Sequence, residues 1–292
     1  MSEPVTAQDL IDLGERVLQD STHLFDDHDN RLEAEQLLAF TLDIDHDDLN
    51  AKVEPSRRLR ERYLSLIARR AGGEPFPFIT GRIEFYGLDL KVKPGAFVPR
   101  PSSELTVDRA LKRLKGRKKP VVIDVCAGAA PIALAIADEF PSADVWALEI
   151  DEEALVQGRS NARRLGIRNL TARASDMYSE LPHELVGKVD VITGHVPYVP
   201  HGELEDMPTE VRDHEPIYTL TDQSADGLTL MRRAVQEGAP LLRPGGWLLL
   251  EVSDDLGKKI QKLYRKAQLE DHGVATDNDG LSIVVEGRKP PK

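Results

Sequence analysis

The sequence predicts an α/β fold: a doubly wound, mostly parallel seven-stranded Rossmann-like sheet, preceded by a small helical domain and a linking β-hairpin. Three observations carry this. Val121 to Asp151 reads as an apolar strand, a small-residue turn, an apolar-periodic helix and a second apolar strand. Strand and helix patterns then alternate toward the C-terminus, as parallel sheets with crossover helices require. Residues 1–73, by contrast, carry only helical patterns.

The first helix starts at Thr6-Ala7-Gln8-Asp9, a hydroxyl cap with an acid three residues on, and Leu10, Ile11, Leu13, Val17 and Leu18 mark its apolar face. A second runs from Asn30 to about Leu42, and a third from Ser56 to about Arg70, stopped by Gly72-Gly73. Arg57, Arg58, Arg60, Arg62, Arg69 and Arg70 make the third basic, which fits a solvated face or a docking surface for an acidic or RNA-associated partner. Asp43, Asp45, Asp47 and Glu54 imitate a calcium loop, but Asp48 stands where its sharp turn needs glycine, so an acidic interhelix loop is the better account.

Residues 74–101 change character. Ile83 to Tyr86 and Leu88 to Val92 flank Gly87 as a hairpin, and Phe97 to Pro101 forms a proline-stiffened arm. A helix over Ser103 to Leu114 and a basic run, Lys112 to Lys119, precede the strand Val121 to Val125. That strand is β-branched enough to be buried on both faces, and Pro131 suits the first helical turn after it. Further elements are a helix at Glu152 to Leu165, strands at Leu170 to Ala174 and Val189 to Thr193, and a helix at Leu228 to Leu242. A strand at Trp247 to Val252, a helix at Asp254 to Ala267 and an antiparallel pair near Val274 and Ser282 to Val285 complete the domain at 102–292. In such sheets ligands bind beyond the strands' carboxyl ends, here Asp124 to Gly128, Glu149, Ser175-Asp176 and Gly194 to Tyr198.

Composition limits the function. A net charge of −12 argues against a dedicated nucleic-acid-binding protein. The single cysteine, Cys126, can form neither an internal disulfide nor a cysteine-based zinc cluster, and no metal site is expected. With no membrane span or leader pattern, the expected compartment is the cytoplasm.

Gly194-His195-Val196-Pro197-Tyr198 resembles the Asn-Pro-Pro-Tyr motif of amino-methyltransferases that use S-adenosylmethionine. Further segments narrow the likeness to the protein-(glutamine-N5) methyltransferases of peptide chain release factors: Glu74-Pro75 with Ile79-Thr80-Gly81, Glu84 to Leu88, Val98 to Pro101, Glu210 to Arg212 with Glu215-Pro216, and Asp226-Gly227-Leu228. The likeness runs from about Arg69 to the C-terminus in the same order, and the helical domain, as a substrate-recognition unit, suits that family.

The resemblance implies a methyl donor, S-adenosylmethionine, held by Asp124, Cys126, Ala127 and Gly128 at the methionine end, by Glu149 at the ribose and by Asp176 with Met177 at the adenine. It implies that His195, Val196, Pro197 and Tyr198 orient the accepting amide, and that Arg100, Pro101 and Glu104 bind the protein substrate. An amide nitrogen is a poor nucleophile, so positioning is the main catalytic lever.

Two departures stand out. His195 replaces an amide oxygen with two lone pairs by an imidazole with one acceptor and one donor. Cys126 and Ala130 occupy glycine positions of the cofactor turn; a positive φ at either costs about 1 kcal/mol or more. Also, Ser102-Ser103-Glu104 keeps only one of the family's two acids, and His201 to Pro216 is expected to be a substrate-facing loop or a long connection. These departures leave open a catalytically silent binding module, or transfer to a different amine acceptor.

Overall fold

A computed structural model describes residues 5–24, 29–276, 280 and 282–291. Contacts divide the chain into two units, Met1–Arg82 with Glu205–Glu215, and Ile83–Leu204 with Pro216–Lys292.

The first unit contains α1 (Ala7–Gln19), α2 (Asn30–Leu42), α3 (Arg57–Ala71), the short α4 (Phe76–Thr80) and, from the later segment, a one-turn helix Thr209–Arg212. Thr6 and Asp9 cap α1 reciprocally, as their spacing predicts. Leu10, Ile11, Leu18, Leu37, Leu38, Tyr63, Leu66 and Ile67 fill the core. Tyr63 donates its hydroxyl to the Leu10 carbonyl (3.1 Å).

Arg70 is not part of a solvated basic face. It is 0 % exposed, pairs with Glu33 (2.7 Å) and Glu210 (3.1 Å), and donates to the Glu74 carbonyl (3.1 Å). A guanidinium with several donors in a fixed fork is the basic group best suited to such enclosure. Glu74 to Thr80 also departs from the hairpin reading, because Pro75 sits at the N-cap of α4 and Pro77 suits its first turn. Glu205–Glu215, expected as part of a substrate-facing loop, belongs to this unit.

In the second unit, β1 (Arg82–Phe85) and β2 (Leu88–Lys91) form the expected hairpin, and α5 (Glu104–Leu114) follows. The main sheet runs in the order β5-β4-β3-β6-β7-β9-β8. Its strands are β3 (Val121–Val125), β4 (Asp144–Glu149), β5 (Leu170–Ala174), β6 (Val189–Gly194), β7 (Leu242–Ser253), β8 (Glu270–Thr276) and β9 (Ser282–Arg288). The first five pair in parallel, whereas β9 runs antiparallel to both β7 and β8. Strand order reverses between β3 and β6, the crevice where such sheets bind ligands.

Helices α6 (Pro131–Glu139), α7 (Glu152–Leu165), α9 (Thr229–Leu241) and α10 (Gly257–Lys266) connect the strands, with Thr209–Arg212 as α8. One apolar cluster joins α9, α10 and one sheet face; a second joins α5, α6 and the other. The basic run after α5 is partly structural: Arg113 lies over the Trp247 ring (3.8 Å) and bonds Glu286 (3.1 Å), and Arg117 approaches Asp190 (3.7 Å). Among the described residues no helix is long and apolar enough to cross a membrane.

Candidate active site

The β3 end and the start of α6 form a tight turn. Cys126 (φ 55°), Gly128 (φ 57°) and Ala130 (φ 62°) all adopt the left-handed conformation, so both substituted glycine positions do require positive φ. Ala127 N–H donates to the Leu148 carbonyl (3.0 Å), and Ala130 N–H to the Ala127 carbonyl (2.7 Å), which tie the turn to β4 and to itself.

Glu149, at the β4 terminus, accepts Gly128 N–H (2.8 Å), Ile150 N–H (2.7 Å) and Asp151 N–H (3.2 Å). Burial raises its pKa despite these donors. Asp124 is 1 % exposed; Oδ1 accepts the Thr193 hydroxyl (2.8 Å), while Oδ2 is buried without a hydrogen-bond partner. Burial pushes this carboxyl up to about 7 against the opposing pull of the Thr193 hydroxyl and Ala133 N–H, with Glu149 and Glu251 adding repulsion.

At the β5 end, Met177 is buried with φ 52°, and its Sδ lies 3.9 Å from Cys126 Sγ. Burial raises the Cys126 thiol well above its ordinary value. Asp176 is exposed and pairs with Arg233 of α9 (2.7 Å). The residues that the resemblance assigns to the donor therefore lie at the ends of the three neighbouring strands β3, β4 and β5. The donor set fits S-adenosylmethionine: three N–H bonds leave the Glu149 carboxylate spare acceptor capacity for a ribose hydroxyl, and Asp124 Oδ2 has polar capacity that no group of the fold uses.

Across the switch point, β6 ends at Gly194, where a Cβ would stand 2.9 Å from Val125 Cγ1 and 3.1 Å from the Val125 carbonyl. Only glycine lets β3 and β6 close up here, which brings the tetrapeptide beside the turn. Val196 and Pro197 are buried. His195 is partly buried, with the Phe97 ring edge-on at 5.3 Å and the Tyr198 ring stacked at 5.8 Å. Burial first, and then Glu251, pushes the Tyr198 phenol up to about 12.

The Asp226-Gly227-Leu228 motif acquires a physical reason. Gly227 has φ 65°, and a Cβ there would lie 2.1 Å from the Tyr198 carbonyl oxygen. The loop before α9 thus packs directly on the tetrapeptide's backbone.

Arg100 stacks over Phe97 (4.4 Å), and Pro101 is exposed. Glu104 also supports the hairpin, one of its oxygens accepting Tyr86 N–H (2.7 Å). Sequence reasoning missed Glu251, which is 1 % exposed, accepts Ser102 Oγ (3.0 Å) and Thr106 Oγ1 (3.2 Å), and lies 3.6 Å from His195 Nδ1. Ser103 Oγ lies 3.4 Å from the same nitrogen. The one sequence signal was Glu251's place in an otherwise apolar strand, Trp247 to Val252.

Two family models match the chain, a methyltransferase domain over residues 117–282 and a PrmC N-terminal domain over residues 16–81. A release factor glutamine methyltransferase of Streptomyces coelicolor is 36 % identical over 236 residues, covering 80 % of this chain and 82 % of its own. The protein of that name from Koribacter versatilis is 34 % identical, covering 89 % and 91 %. The Bradyrhizobium diazoefficiens protein of the same name is 32 % identical, covering 100 % and 98 %. Among solved structures, a Pyrococcus furiosus methyltransferase matches with a TM-score of 0.50 at 20 % identity, covering 70 % of this chain and 90 % of that one. The likeness to that structure is one of fold.

Proposed function

The chain belongs to the release factor glutamine methyltransferase family, and from that premise we propose that it moves the methyl group of S-adenosylmethionine onto the side-chain amide nitrogen of a glutamine in a peptide chain release factor. The observation that carries this reading is the meeting, at the β3/β6 switch point, of the Asp124–Gly128 turn and the His195–Tyr198 tetrapeptide.

Asp124, Cys126, Ala127, Gly128, Glu149, Asp176 and Met177 hold the donor, which supplies an electrophilic methyl group on a sulfonium. Glu149 grips the ribose, and Asp176 with Met177 forms the adenine side, next to the Cys126 end of the turn. His195 and the Val196 carbonyl accept hydrogens from the glutamine NH₂, turning its lone pair toward the methyl carbon. Pro197 biases Val196 toward an extended backbone, and Tyr198 packs beside the acceptor. Arg100, Pro101 and Glu104 line the path of the protein substrate. Residues 1–73 act as the recognition domain, 74–101 as the linker and 102–292 as the transferase. The reaction takes place in the cytoplasm, to which a single, unpaired cysteine is suited.

The family premise favours a transferase over a silent binding module, and the net charge of −12 disfavours a nucleic-acid base as acceptor. The test is incubation of the chain with a release factor and isotopically labelled donor, followed by mass spectrometry of the peptide that carries the accepting glutamine. One added methyl on that glutamine supports the reading. Donor binding by calorimetry without any transfer to the factor refutes it.

A further inference from the structure

The register of the central sheet sets His195 and Glu251 side by side. Gly194 of β6 pairs with Leu250 of β7, so the next residue of each strand emerges as a neighbour of the other. Glu251 is enclosed and located by two hydroxyl donors, Ser102 and Thr106. One of its oxygens is 3.6 Å from Nδ1 of His195, and Ser103 Oγ is 3.4 Å from that nitrogen. The Tyr198 ring stacked on one side and the edge-on Phe97 ring restrict rotation of the imidazole.

A neutral imidazole carries one proton, on either nitrogen. With Nδ1 bare, its lone pair would face the charge of an enclosed carboxylate. With Nδ1 protonated, the N–H dipole points toward that charge and toward a serine oxygen able to accept it. We infer that Glu251 fixes His195 as the Nδ1–H tautomer, so that Nε2 presents the lone pair with which the ring engages the acceptor nitrogen. This rests on the transferase reading above and deepens it. The histidine thereby replaces the lost amide oxygen with an acceptor that, unlike an amide, can take a proton.

A nitrogen that gains a methyl group must shed a proton. As the N–C bond forms, the donor's C–S bond breaks with its electron pair left on sulfur, and Nε2 receives the nitrogen's proton before passing it to solvent. Glu251 balances the transient imidazolium without touching the substrate, which makes it a positioning residue.

The test uses the full chain labelled with ring-¹⁵N histidine, without donor or substrate, at a pH where the ring is neutral. Two-bond ¹H–¹⁵N spectra separate the tautomers, and His195→Asn identifies the signals by their loss. The expected result is Nδ1–H in the wild type, a shift to mainly Nε2–H in Glu251→Gln, and retention of Nδ1–H in Ser103→Ala. With donor and factor added, Glu251→Gln lowers kcat about tenfold or more with KM little changed. A wild-type Nε2–H tautomer, or an unchanged tautomer in folded Glu251→Gln, overturns the inference. Should Glu251→Gln fail to fold, the wild-type spectrum decides by itself. The tautomer is read without catalysis, so absence of methyl transfer to a release factor leaves this result standing and counts only against the substrate.

Discussion

Replacing Gly227 by alanine perturbs the tetrapeptide without touching any of its side chains. The added Cβ would lie 2.1 Å from the Tyr198 carbonyl oxygen, 2.8 Å from its carbon and 3.0 Å from Pro200 N. These are backbone atoms, so no flexible side chain can swing aside. Reaching an ordinary contact of 3.4 Å means a retreat of roughly 1.3 Å (3.4 minus 2.1). The left-handed backbone adds about 1–2 kcal/mol and the overpacking about 1–3, while a stiffer unfolded chain offsets about 0.4–1. The net loss is about 1–5 kcal/mol, or a Tm fall of roughly 2–18 °C for a unit of this size. A displacement near 1 Å of the groups that orient the acceptor lowers kcat/KM by about 100-fold. Urea and thermal unfolding measure the first quantity, and methyl transfer to the release factor the second. Gly202→Ala is the control, because its Cβ meets nothing within 4 Å and its φ is not positive. A Gly227→Ala protein within about 0.5 kcal/mol of wild type and with unchanged turnover would refute the assignment of this glycine to close approach.

The other expectations follow from enclosed charges and the altered motif. Arg70→Ala leaves Glu33 and Glu210 facing one another without their shared cation and destabilises the helical unit by about 3–5 kcal/mol, read by urea unfolding. Folded Asp124 keeps its proton up to about pH 7, whereas the unfolded chain releases it near 3.8, so this group's contribution makes stability fall as pH rises between those values. In Asp124→Asn that contribution is gone: unfolding free energies from pH 4 to pH 7 show a difference from wild type that moves in the variant's favour by up to roughly 4 kcal/mol. His195→Ala removes the hydrogen acceptor and lowers kcat about 100-fold, while His195→Asn, which restores an amide oxygen, keeps more activity than alanine in the same transfer assay.

The parallel core was legible because strands buried on both faces read as apolar runs, Val121 to Val125 being the clearest. Boundaries shifted where tertiary pairing extends an element: β7 begins at Leu242 rather than Trp247, because Leu242 pairs with Val189 across a register shift in β6. The short α4 was hidden by Pro75 and Pro77, which look like breakers unless their places at the cap and in the first helical turn are known. Arg70 looked like its basic neighbours on α3, since nothing local distinguishes an arginine that two distant glutamates enclose. At the site, the strand-end residues could be named from pattern and resemblance. Glu251 could not, because its place beside His195 comes from the pairing of Gly194 with Leu250. Glu104 reads as a substrate contact from the resemblance alone; that one of its oxygens also accepts the Tyr86 N–H of the hairpin turn depends on tertiary placement that the sequence does not display.

The bond between Glu149 and the Gly128 N–H has a thermodynamic consequence. It fastens the glycine at the middle of the turn to the end of the neighbouring strand. The bond is made by the fold's own groups, so folding itself bears entropy of ordering the turn. Cys126 and Ala130 hold unfavourable backbone angles in the same turn, which the Ala127 bond to Leu148 and the Ala130 bond to Ala127 also constrain, so the strain at the two substituted glycine positions is met by the stability of the surrounding sheet.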